Sequence, residues 1–176
     1  MKRFALTMMA LTGSFVLTGC ATTQPQPTGP IHKEFILDAA FDKVWPAVLE
    51  RATDRSWPIK TIDKASGIIA TDFVSLGTSF SGWKTAKTIA YEPSCMLCTW
   101  TGGARQTVTV FVTKIDESKS RVKIGIHVEA FENNVSHQWA AWQSNGANEK
   151  LIADDLAQKL NVPVHLPPDT PEPKGL

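Results

Sequence analysis

Two stretches decide the fold: Thr107-Val108-Thr109-Val110-Phe111-Val112-Thr113 and Arg121-Val122-Lys123-Ile124-Gly125-Ile126-His127-Val128-Glu129. In the first, Val108, Val110 and Val112 alternate with Thr107, Thr109 and Thr113. In the second, Val122, Ile124, Ile126 and Val128 alternate with Arg121, Lys123, His127 and Glu129. Successive side chains of a strand point to opposite faces, so period two puts one face on a core and the other in water. The polar turn Glu117-Ser118-Lys119-Ser120 joins them into an antiparallel hairpin. Its apolar face must then be covered by another layer.

Two helical patterns can supply that layer. Over residues 41–55, Phe41, Val44, Trp45, Val48 and Ala52 share one face. Asp38 or Asp42 is the candidate N-cap, and Pro46 favours the later start because proline belongs in a first turn. Over residues 146–161, Ile152, Leu156 and Leu160 repeat every four positions, with Leu151, Ala153 and Ala157 beside them. Ser144 or Asn145 can cap this helix, and Glu149 suits its positive end. Residues 32–37 read as a first strand, and residues 59–63 and 68–74 as a hairpin around Lys64-Ala65-Ser66-Gly67. Residues 76–106, which hold Gly77, Gly82, Gly102 and Gly103, read as loops around one strand at 84–91. A polar, tryptophan-bearing loop precedes the last helix.

The expected architecture is α+β: a curved antiparallel sheet of five or six strands packed by two helices, in the order β-α-β-β-β-β-β-α. Residues 31–162 form this single domain. With 43% hydrophobic and 20% charged residues in a chain of 176, the composition is that of one ordinary folded domain.

The flanks read differently. Lys2 and Arg3 precede an apolar run over residues 4–16, too short to span a bilayer, and Leu17-Thr18-Gly19-Cys20 follows. This reads as a bacterial lipobox: residues 1–19 are a signal peptide and Cys20 is the lipidated N-terminus. Ala21-Thr22-Thr23-Gln24-Pro25-Gln26-Pro27-Thr28-Gly29-Pro30 has no core-forming residue and favours extended polyproline geometry, so residues 20–30 are the anchor and its tether. Pro163, Pro167, Pro168, Pro171 and Pro173 make residues 163–176 a tail with no expected helix or strand. Losing Lys2 and Arg3 from 18 basic and 17 acidic residues leaves 16 against 17, which offers no field to steer nucleic acid. Nucleic acid is therefore excluded as a partner.

Cys95-Met96-Leu97-Cys98 is the sharpest local signal after the lipobox. After export and with Cys20 acylated, a short-loop disulfide is the first choice for this pair. Buried free thiols are the alternative. Redox catalysis needs a helix N-terminus that the pattern does not supply, and zinc needs four ligands where His32, His127, His137 and His165 show no paired spacing. Gly77-Thr78-Ser79-Phe80-Ser81-Gly82-Trp83-Lys84 misses the spacing of a phosphate-binding loop by one residue and reads as a flexible loop. Trp83, Trp100, Trp139 and Trp142 fall in loops or loop-flanking segments. They either cap the open ends of the sheet or form an aromatic patch for a partner or apolar ligand, with His137 beside Trp139. No catalytic constellation, metal site or cofactor motif stands out.

Phe41-Asp42-Lys43-Val44-Trp45-Pro46-Ala47-Val48-Leu49 and Asp63-Lys64-Ala65-Ser66-Gly67-Ile68-Ile69 resemble small envelope lipoproteins of proteobacteria. More loosely they resemble the N-terminal domain of the C lipoprotein of the outer-membrane β-barrel assembly machinery. The resemblance implies a helix-grip-like order and carries no catalytic motif. The N-terminus resembles those of bacterial lipoproteins, which carry three acyl chains, palmitate among them, on the cysteine. Ala21 in place of Asp implies sorting to the outer membrane; the expected orientation faces the periplasm, with the cell surface as the alternative. The expected function is a non-enzymatic binding or assembly-accessory module held to the membrane by acyl chains, with an envelope protein partner. The alternative is a carrier of a lipid or small apolar ligand in a helix–sheet cleft, and no cofactor is expected for either. One acyl chain holds only marginally and several hold firmly. Cys20→Ala is thus expected to abolish labelled-palmitate incorporation and to move the domain out of the membrane fraction on centrifugation.

Overall fold

The computed structural model describes residues 30–168. Cys20, residues 1–29 and residues 169–176 lie outside the described residues. The elements run β1 (Glu34–Leu37), α1 (Phe41–Asp54), β2 (Ile59–Asp63), β3 (Ile68–Thr71), β4 (Val74–Gly77), α2 (Ser79–Ile89), β5 (Ala90–Tyr91), β6 (Ala104–Lys114), β7 (Ser120–Glu132), β8 (Gln138–Ser144), α3 (Ala147–Leu160) and β9 (Val164–His165). All strand pairs are antiparallel. The fold is α+β, as the hairpin and the two helical patterns require, with nine strands and three helices among the described residues.

The long hairpin is the spine. β6 and β7 pair from Ala104↔Ala130 to Lys114↔Ser120 in unbroken register. Val108, Val110, Val112, Val122, Ile124, Ile126 and Val128 are all buried on one face, each burial contributing about 1.5–3 kcal/mol. α1 lays Val44, Trp45, Val48 and Ala52 on that face, and α3 adds Ile152, Ala153, Leu156 and Ala157. Arg51 of α1 reaches Asp155 of α3 at 2.5 Å. α1 begins at Phe41, so its N-cap is Ala40, which makes no side-chain cap bond, and neither Asp38 nor Asp42 caps it; Pro46 lies beyond the first turn. The carbonyl that loses its partner to Pro46 belongs to Asp42, whose side chain is exposed and pairs with Lys64.

Four segments depart from the sequence reading, the first being the strand expected over residues 68–74, which ends at Thr71 and resumes on β6 as β4 from Val74. The strand expected over residues 84–91 is confined to Ala90–Tyr91, and residues 79–89 form α2. Only Gly82 and Ala86, one turn apart, are buried in it, so the helix docks on a stripe of small residues that carries no apolar signal. A Cβ on Gly82 would lie 2.2 Å from the Gly77 carbonyl oxygen and 2.6 Å from the Ala104 nitrogen. Glycine there serves close packing of helix on strand, not a flexible phosphate loop. The tryptophan-bearing loop is strand β8, whose inward residues Ala140, Trp142 and Ser144 include no Val or Ile to reveal period two. Val164–His165 pairs with Leu37 and Ile36 as β9. The flanking Pro163 and Pro167 confine it to two residues at a sheet edge, where prolines are tolerated.

Gly82→Ala is expected to destabilise by about 1–3 kcal/mol as the new methyl group displaces α2. In an exposed helix interior the same change stabilises by up to about 1 kcal/mol, so the sign of the shift in urea midpoint checks the contact.

Candidate functional site

The site arises because β7 serves two partners along one edge. Its first residues pair with β1, from Ser120↔Leu37 to Lys123↔Glu34. Its last residues pair with β8, from Val128↔Trp142 to Glu132↔Gln138. Between them, at residues 125–127, the sheet forks. β9 extends one branch and β5 the other. The incoming chain fills part of the fork: the Ile124 N–H donates to the Lys33 carbonyl at 2.7 Å. Ile31 lies against Gly146, where an added Cβ would stand 3.1 Å from Ile31 Cγ2.

A cavity of about 550 Å³ opens at this fork. Ile31, Phe35, Tyr91, Val164 and Leu166 give it apolar walls, and Asn145 to Ala147 at the start of α3 close one side. The polar lining is His32, Lys150, Asp154 and His165. Lys150 pairs with Asp154 at 2.5 Å, and His165 Nε2 lies 3.1 Å from Asp38 Oδ2. A neighbouring hollow of about 320 Å³ shares Ile31 and His32 and is otherwise lined by Lys33, Glu34, Lys123, Pro167 and Pro168.

The wall formed by α3 is set by its buried first turn. Gly146, at φ +85°, is the N-cap, a backbone angle that favours glycine. The expected capping side chains act from just before it: Asn145 Oδ1 accepts from the Ala147 N–H at 3.0 Å, and Ser144 Oγ accepts from the Gly146 N–H at 3.1 Å. The Ser144 hydroxyl also lies 2.7 and 2.8 Å from the two Glu149 carboxyl oxygens. Glu149 is fully buried. Burial pushes its pKa up, against the opposing pull of Ser144, its own N–H and Lys33.

The aromatic candidates do not form a patch. Trp100 and Trp142 are buried and meet edge to face at 5.5 Å. Trp139 points to the other face of β8, against Phe131 at 5.5 Å. The Arg105 guanidinium lies 4.0 Å from the Trp139 ring centre and 3.7 Å from that of Phe73, and it pairs with Glu129. Trp83 sits on α2 between Phe80 and Lys87. His137 holds a left-handed turn before β8. None of the five lines the cavity. Trp139 and Trp142 are three apart on a strand, and strand geometry sends them to opposite faces.

Cys95 and Cys98 lie at disulfide distance, with Cα atoms 5.4 Å apart. Between them Met96 is 97% and Leu97 66% exposed. The loop behind this tip is stitched to the β7–β8 turn by Glu132. Its buried carboxylate accepts from the N–H groups of Thr99 (3.1 Å), Asn134 (2.7 Å), Val135 (2.8 Å) and Ser136 (2.5 Å). Burial pushes the Glu132 pKa up, but these N–H groups outweigh it and hold the carboxyl far below the usual range. Asn134 Nδ2 donates to the Leu97 carbonyl at 2.7 Å. Sequence reasoning passed over Glu132. Its signal was an acid at a strand end, followed by a turn whose N–H groups lack strand partners.

No protein-family model and no curated protein matches this chain. Among the described residues no three or more His, Cys, Asp or Glu side chains converge in a metal-binding group, and no helix is long and apolar enough to cross a membrane.

The two buried carboxyls shape stability against pH in opposite senses. Glu149 binds its proton more tightly in the native state, so its contribution is full below about pH 4.5 and is lost as pH rises through its raised pKa. Glu132 binds its proton more weakly, so its contribution is full above about pH 4.5 and is lost as pH falls toward its depressed pKa. Glu149→Gln is expected to flatten the alkaline side of a stability profile taken across about pH 3 to 9, and Glu132→Gln the acid side. Urea midpoints of each variant against the parent chain check both.

Proposed function

We propose that this chain is a lipid-anchored, non-enzymatic envelope protein that carries a small apolar or amphipathic ligand in the fork cavity between α3 and the sheet. The carrying observation is the cavity itself. At about 550 Å³ it falls within the range of ligand pockets, roughly 300–1,000 Å³, and its walls are mostly apolar with a few convergent polar groups. Its position supports the reading as well: Pro30, the last residue of the expected tether, lines it. A ligand drawn from the anchoring membrane would have a short path to the site. Trp100 and Trp142 are buried, so of the four tryptophans only Trp139 and part of Trp83 reach the surface, on different elements, which lends less support to an aromatic docking patch.

One observation favours docking as a second reading. The tip at Met96 and Leu97 is apolar, exposed and held by a covalent loop with a stitched base. A rigid apolar prominence is what a protein partner would engage at low ordering cost.

The two readings separate in one assay. N-phenyl-1-naphthylamine is titrated against the full-length protein in phospholipid nanodiscs, with empty discs as reference. The carrier reading expects fluorescence above the reference that falls roughly tenfold in affinity for Leu166→Asp, a loss of about 1.4 kcal/mol, and is unchanged for Leu97→Ser. Leu166 is half exposed, so the fold tolerates the change. No signal above empty discs, with envelope cross-links lost in Leu97→Ser, moves the function to the tip.

A further inference from the structure

We infer that the cavity takes a single-chain zwitterionic amphiphile, its acyl chain along the apolar wall that the β1 and β9 regions share and its head across Lys150 and Asp154. This rests on the carrier reading and names the ligand class. Volume bounds the chain. At about 30 Å³ for each water-sized group, about 550 Å³ has room for roughly eighteen non-hydrogen atoms, the size of one acyl chain with its head at the rim. Apolar walls suit a chain: Ile31 and Phe35 from the first strand region, Val164 and Leu166 from the last, and Tyr91 of β5.

The rim sets the head. Lys150 and Asp154 stand one turn apart on α3, both at the cavity and paired with each other at 2.5 Å. Their side chains are exposed, and an exposed ion pair is weak enough to open for a ligand. A purely anionic head that engaged Lys150 would leave Asp154 unpaired beside like charge. A purely cationic head would do the same to Lys150. A zwitterion exchanges the one pair for two. Elsewhere in the lining, His165 Nε2 stands 3.1 Å from Asp38 Oδ2, and Asp38 also faces Lys119 at 3.7 Å.

Photoreactive diazirine derivatives of three lipids test this in nanodiscs carrying the full-length protein: lysophosphatidylethanolamine, lysophosphatidylglycerol and a diacyl phosphatidylethanolamine at equal mole fraction. Peptide mapping reads the labelled residues. The expected result is labelling at residues 30–35 and 164–166 by the single-chain zwitterion, with a preference of up to roughly fivefold over the anionic lipid, the size of one exposed ion pair. Asp154→Asn should bring the two single-chain lipids level while N-phenyl-1-naphthylamine binding persists. Equal or stronger labelling by the anionic or diacyl lipid overturns the inference and leaves the carrier reading standing if the neutral probe still binds. Loss of both probe binding and cavity labelling overturns both.

Discussion

The ladder between β6 and β7 is the constraint on which the other elements depend. Its register runs unbroken over eleven paired positions. Because side chains alternate, a slip of one residue would turn Val108, Val110 and Val112 to water and bring Thr107, Thr109 and Phe111 inward. Each long strand then carries two short partners on its outer edge: β3 and β4 on β6, β1 and β8 on β7. The short strands have little stability of their own and take their position from the spine. The helices do the same. Arg51 and Asp155 hold α1 to α3, and Asn148 Nδ2 donates to Gln106 Oε1 at 2.8 Å to hold α3 to β6. Burial lowers the Arg51 pKa, and Asp155 works against that shift. Removing Asp155 would leave the buried Arg51 guanidinium without its partner, which costs more than the pair contributes.

What was legible in the sequence follows the same division. The hairpin strands, α1, α3 and the Lys64–Gly67 turn each carry a periodic or turn-chemical signal strong enough to read alone, whereas the Cys95–Cys98 pairing rests on the expected oxidising compartment and on a turn that the spacing requires but does not reveal. α2 was missed because its buried face is Gly82 and Ala86, residues that bury almost no apolar surface and mark contact by their smallness. β8 was missed because its inward positions are Ala140, Trp142 and Ser144. β9 was masked by prolines that restrict its length without forbidding two residues of pairing. Each of these owes its structure to a neighbour, and single-sequence periodicity does not register neighbours.

The cavity was illegible for a related reason. Its lining comes from the segment before β1, the start of α3, β5 and the β9 region, four places far apart in sequence. It exists because β7 runs longer than either of its edge partners, so that two short strands leave a gap between them. A helix–sheet cleft could be named in advance as a class. The residues could not, since none of Ile31, Tyr91, Val164 or Leu166 stands out from its local pattern. The tryptophans, which do stand out, are spent on packing and on the Arg105 stack.

The placement of the first strand has a mechanical meaning. β1 lies between β7 and β9, hydrogen-bonded on both sides, and the chain leaves it through Lys33, which is itself tied to Ile124. Force applied at Pro30 along the strand axis therefore loads several ladder bonds at once in shear, instead of peeling them open one by one. A domain pulled by its leading end in this way resists being unravelled from that end.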